Sequence, residues 1–154
     1  MLESRIYRDL KKDHDLHRSL LKRISDGETG LFEELHVQID AHAAAEEESL
    51  YATMLADPEL WDDARHSVAE HKEIADYLVE LAKMTPGEGE WDAKFAHMRH
   101  RYEHHIDEEE QEMFPAAEKE LPDQVEEKLA ETYEERKPAE LERAVESPNE
   151  DKRD

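Results

Sequence analysis

His42-Ala43-Ala44-Ala45-Glu46-Glu47-Glu48-Ser49-Leu50-Tyr51 and His105-Ile106-Asp107-Glu108-Glu109-Glu110-Gln111-Glu112-Met113-Phe114 are two copies of one pattern, 63 residues apart. Each copy has a histidine, glutamates at the fourth and fifth positions after it, a large apolar residue at the eighth and an aromatic at the ninth. Residues four apart stack on one face of a helix, so each copy aims an imidazole and a carboxylate at the same point. The flanking apolar residues recur at helical spacing: Leu31, Leu35, Ile39, Leu50 and Met54 around the first copy, and Trp91, Phe95, Met98, Tyr102 and Met113 around the second. His42 and Glu46 fall inside the first stripe, and His105 and Glu109 inside the second. An ionised glutamate in a helix-bundle core costs several kcal/mol unless it is paired or bound to a metal.

Outward from these segments, punctuation divides the chain. Ser25 to Gly30, Asp57-Pro58, Thr85 to Gly89 and Leu121-Pro122-Asp123 are breaks, with Pro58 expected in the first turn of a new helix. Between them lie four segments, roughly 3–24, 30–55, 58–84 and 90–119. Short loops between long amphipathic helices predict an all-α, up-down-up-down antiparallel four-helix bundle over residues 1–120. Residues 121–154 read as a short C-terminal helix around Val125 and Leu129 followed, from about Glu134, by a mobile acidic tail. The first helix turns Leu2, Ile6, Leu10, Leu20, Leu21 and Ile24 inward, with His17 central and His14 at the margin. The third turns Leu60, Ile74, Leu78 and Leu81 inward with His71 between them, whereas His36, His66, His97, His100 and His104 fall on flanks or outer faces.

Composition agrees and excludes several functions. In 154 residues there are 4 Gly and 6 Pro, too few turn formers for a many-stranded sheet. A chain of this length buries roughly 70% of its unfolded surface, enough for a real core. The 20 Lys+Arg against 43 Asp+Glu leave a formal charge of −23, which argues against binding nucleic acid or an anionic membrane surface. There is no cysteine, so any metal must sit on nitrogen and oxygen ligands. The N-terminus has no apolar leader and no segment approaches a membrane span, giving the expectation of a cytoplasmic protein.

A single inward histidine is ordinarily a hydrogen-bonded core residue, and a run of glutamates is ordinarily a solvated face. Two copies of His-x-x-x-Glu on apolar stripes, each with one further inward histidine on a neighbouring helix, argue instead for metal. Four imidazoles and two carboxylates suit two adjacent divalent irons, with the carboxylates able to bridge them. Ferritin-type sites use Glu-x-x-His at a spacing of three, the reverse order.

These residues resemble the hemerythrin-like proteins, the HHE cation-binding domain, over about residues 5–119. The resemblance is carried by Asp13-His14 with Leu20-Leu21, by His42 to Tyr51, by Glu70-His71, and by His105 and Glu109 with Phe114-Pro115. It implies a non-heme di-iron centre, oxo- or hydroxo-bridged, with His14 and His42 on one iron, His71 and His105 on the other, and Glu46 and Glu109 bridging both. Periodicity alone favours His17 on the first helix, and the resemblance favours His14. Oxygen-carrying hemerythrins place two histidines four apart on the third helix, but the positions flanking His71 are Ser67 and Ala75. They also carry Asp at the fifth position on the fourth helix, where this chain has Glu at the fourth.

The expectation is therefore a di-iron protein that binds or senses O2 or a related small oxidant. The alternative is a non-redox module in which zinc or a single iron stabilises the bundle. No phosphate loop or nucleophile stands outside the histidine–carboxylate set, and no protein partner is indicated.

Overall fold

The computed structural model describes residues 3–146, and all of its regular structure is helical. The helices are α1 (Arg5–Ser25), α2 (Phe32–Glu46), α3 (Ala52–Leu55), α4 (Trp61–Ala82), α5 (Gly89–Glu108), α6 (Phe114–Glu120) and α7 (Asp123–Glu146). Single π-helical turns, Glu47–Tyr51 and Glu109–Met113, join α2 to α3 and α5 to α6. Thus the expected second and fourth segments are continuous helical rods, each widened just after its His-x-x-x-Glu. Such single turns inside α-helices are frequently found at functional sites. Helix α4 begins later than Pro58 suggested: Asp57 Oδ1 accepts a hydrogen bond from the Glu59 N–H at 2.9 Å, holding a turn ahead of Trp61.

Helices α1, α2, α4 and α5 contact one another in a closed ring, α1 with α2, α2 with α4, α4 with α5 and α5 with α1. Two apolar clusters fill the ring. One contains Ile6, Leu10, Leu50, Met54, Leu60, Ala64, Met113 and Phe114. The other contains Leu20, Leu21, Leu35, Ile39, Ile74, Leu78, Leu81, Trp91 and Phe95. Each of the four helices feeds one end into each cluster, and between those ends it carries its buried histidines and glutamates. The result is a polar slab between two dry cores.

The C-terminal expectation is corrected. Helix α7 is 24 residues long and packs against α2 and α1, so Glu134 to Glu146 are helical rather than mobile. Residues 147–154, the rest of the expected acidic tail, lie outside the described residues, as does Leu2. The segment looked mobile because it has few large apolar residues, but it is anchored by polar contacts. Arg5 reaches Glu127 and Glu134 at 2.8 Å each, Lys137 Nζ lies 2.8 Å from Asp13, and Arg136 lies 3.2 Å from Glu48. On α2 the buried Ala41, Ala44 and Ala45 keep its surface low enough for α7 to lie close. Among the described residues no helix is long and apolar enough to cross a membrane.

Candidate metal centre

The slab collects His14 from α1, His42 and Glu46 from α2, His71 from α4, and His105 and Glu109 from the α5 rod, each at most 4% exposed. Ligand atoms of His14, His42 and Glu109 all lie within 4.8 Å of one another, and so do those of His71, His105 and Glu109. Glu109 is thus common to two triads. Glu46 lies between them from the other side: its Oε1 is 3.5 Å from His42 Nε2 and 3.3 Å from His71 Nε2.

Each of these four imidazoles is held from behind. The Nδ1–H of His14 donates to Glu110 at 2.7 Å, that of His71 to Glu47 at 2.7 Å and that of His105 to Glu70 at 2.7 Å. The His42 Nδ1 is 3.0 Å from Asp13 and 2.8 Å from the Tyr133 hydroxyl, which itself donates to Asp13. Donation from Nδ1 leaves the lone pair on Nε2, facing the centre. A carboxylate behind an imidazole in this way fixes the ring and raises its basicity as a metal ligand.

The inward-facing atoms are unsatisfied. His14 Nε2, His42 Nε2, His105 Nε2, both oxygens of Glu46 and Glu109 Oε1 are buried without a hydrogen-bond partner, although His14 Nε2 and Glu109 Oε1 are only 3.0 Å apart. A buried polar group left without a partner costs about 1–3 kcal/mol. So many at one point require an additional group there, and two nitrogens with a shared carboxylate on either side fit a pair of divalent cations.

Charges follow from the same packing. Burial and the neighbouring Glu109 push the Glu46 carboxyl well above its ordinary range. Burial works against ionisation of Glu109 too, but His14, 3.0 Å away, and the nearby His105 hold it well below. Burial disfavours the His14 cation, yet Glu109 and Glu110 prevail and raise its pKa. Tyr51 Oη donates to Glu109 Oε2, and burial raises its pKa, so it stays a neutral donor.

His17 is buried beside the centre but belongs to neither triad. Its Nδ1 is 2.7 Å from the Tyr102 hydroxyl, and burial together with His42 and His14 pushes its pKa well down, leaving it neutral. Of the five histidines read as solvated, His36 is instead buried, 3.3 Å from Asp40 and against the Phe32 ring. His66, His97, His100 and His104 are exposed. The site also uses Asp13, Glu47, Glu110, Tyr51 and Tyr133, whose part in holding the ligands the sequence pattern does not reveal. Glu70, which precedes His71, supports His105.

Comparisons with known proteins bear on the fold and the family. A crystal structure of a hemerythrin HHE cation binding domain-containing protein from Mycobacterium kansasii, a homologue of Rv2633c, superposes with a TM-score of 0.78 at 26% identity. The match covers 97% of this chain and 96% of that one. No curated protein matches the sequence. The family model of the hemerythrin HHE cation binding domain matches residues 5–117, and the chain belongs to that family.

Proposed function

We propose that the protein is a non-heme di-iron protein that binds or senses O2 or a related small oxidant. In this reading His14 and His42 hold one iron, His71 and His105 the other, and Glu46 and Glu109 bridge them, within an up-down-up-down bundle. The alternation of helix ends between the two apolar clusters supports that helix order. The observation that carries the metal reading is the set of buried inward-facing nitrogens and oxygens without hydrogen-bond partners, backed by carboxylates on every Nδ1.

When bound, a pair of irons supplies two electrons to a small oxidant. The chain's own residues set the conditions for that chemistry. Asp13, Glu47, Glu70 and Glu110 keep the four imidazoles oriented, and Tyr51 holds Glu109 through its second oxygen. The two apolar clusters shut bulk water out from above and below the slab. Ser67 and Ala75 flank His71 at the helical spacing, so each triad has two imidazoles and no third. Fewer nitrogen ligands than in an oxygen carrier favour sensing or consumption of the oxidant over reversible carriage.

The test is metal analysis with an ultraviolet–visible spectrum of protein from iron-supplemented cells, before and after anaerobic reduction. Two irons per chain with a charge-transfer band that responds to air support the reading. A colourless zinc protein would replace it with the structural-metal alternative.

A further inference from the structure

The slab is not sealed evenly around its rim. Behind His42, Asp13 is covered by Tyr133 and Lys137 of α7, with Lys137 Nζ at 2.8 Å. Behind His14, Glu110 is covered by Arg18, with Nη1 at 3.1 Å. Behind His105, Glu70 meets a different neighbour: the side chain of His66, 60% exposed, whose Nε2 is 3.4 Å away. There a cleft of about 290 Å³ opens between α4 and the α5 rod. Its wall carries Asp63, Glu70, Glu108 and Glu112 together with His66, and it includes no lysine or arginine. At its floor are His105 and Glu109, and both His105 Nε2 and Glu109 Oε1 are buried without a hydrogen-bond partner.

We propose that this cleft is the route by which divalent cations reach the centre, with His66, Glu70 and Glu108 as a transient station on the way. The proposal rests on the metal reading of the slab and adds the path and its selectivity. Carboxylates lining a narrow opening with low-dielectric walls focus a negative potential, concentrating cations at the mouth and repelling anions. His66 Nε2 stands 3.4 Å from Glu70 and 3.9 Å from Glu108, so one imidazole and two carboxylates converge at the outer end. Glu70 then links outside to inside, since it also accepts the hydrogen bond from His105 at 2.7 Å. The same field disfavours anionic ligands and leaves neutral molecules such as O2 unaffected. The capped sides at Lys137 and Arg18 present cations, which would repel an incoming metal ion.

Loading of the metal-free full-length chain with cobalt(II), followed by stopped-flow absorption at low and high salt, tests the route. Asp63, Glu108 and Glu112 belong to neither triad, and neutralising them in a negatively charged chain relieves repulsion, so the variants are expected to fold. The triple variant Asp63→Asn/Glu108→Gln/Glu112→Gln should load ~10-fold more slowly at low salt, with a flattened salt dependence and an unchanged final stoichiometry. His66→Ala should slow loading in the same way, and Lys137→Ala on the opposite side should leave the rate as it is. Wild-type loading rates in the triple variant, or faster loading in Lys137→Ala, overturn the route while leaving the metal site standing. A wild-type chain that takes up no metal overturns the site reading and the route together.

Discussion

Glu110 accepts a hydrogen bond from the Nδ1 of His14 at 2.7 Å, tying the α5 rod to α1 behind the candidate metal centre. The contact has a counterpart: Glu47, 63 residues earlier, accepts from His71 at the same 2.7 Å. Asp13, which precedes His14, supports His42, just as Glu70, which precedes His71, supports His105. The internal repeat therefore extends to the groups that hold the histidines. Replacing such a supporting carboxylate typically lowers metal affinity 10- to 100-fold. Glu110→Ala and Glu47→Ala are expected to do so, measured by competition with a chromophoric chelator. Unchanged affinity in both variants would remove the supporting role.

The support is not symmetric at α7. Tyr133 donates to Asp13 and its hydroxyl is 2.8 Å from His42 Nδ1, so a residue outside the ring of four helices reaches the centre. Burial, first, and then Asp13 raise the Tyr133 pKa well above its ordinary value, so the phenol stays protonated as a donor. Tyr133→Phe removes that donor and keeps the ring packed. The expected loss is about 1–2 kcal/mol of stability in urea denaturation, with weaker metal binding. A loss of stability with metal affinity unchanged would make Tyr133 a fastener for α7 alone.

Much of this arrangement was legible in the sequence. His42, Glu46, His105 and Glu109 could be read because ligand spacing and apolar spacing share one helical period. Periodicity alone points to His17 rather than His14, although residues three apart lie on nearly the same face and both are fully buried. Here the resemblance selected the histidine that the structure places in a triad. The carboxylates behind the rings were harder to read, because each lies on a different helix from the histidine it holds. The length of α7 was missed for another reason: its docking depends on Arg5, Lys137 and Arg136, whose polarity resembles that of an unstructured segment.

The same polar docking makes the metal-free protein sensitive to pH. Burial, and then the neighbouring Glu134 on α7, raise the carboxyl of Asp9 on α1 from its ordinary 3.8 to about 7. A folded-state pKa above the unfolded one gives stabilisation that is fully present below the unfolded value and is lost as pH rises through about 7. Glu134, held below its ordinary value by Asp9, has the opposite dependence, but it is exposed and screened by solvent. Asp9→Asn keeps the shape without the titrating proton. It is expected to raise the melting temperature at pH 8 relative to wild type and to change it little at pH 5. An equal effect at both values would show that the titration of Asp9 does not contribute.

Metal binding and stability must be linked, because Nε2 of His14, His42 and His105, both oxygens of Glu46 and Oε1 of Glu109 are buried without hydrogen-bond partners. A ligand that binds only the folded chain stabilises it by about 2.7 kcal/mol when its free concentration is 100 times Kd. Chelation should therefore lower the melting temperature of metal-loaded wild type. His42→Ala/His105→Ala removes one imidazole from each triad, leaving His14 or His71 beside the shared carboxylates. Its melting temperature should not respond to chelator. In the metal-free state the double variant loses two buried nitrogens without partners but gains space, so its stability should stay near that of metal-free wild type. If the wild-type protein melts at the same temperature with and without chelator, its fold does not depend on metal and the orphaned atoms need another explanation. If both proteins respond equally, the metal sits away from these histidines.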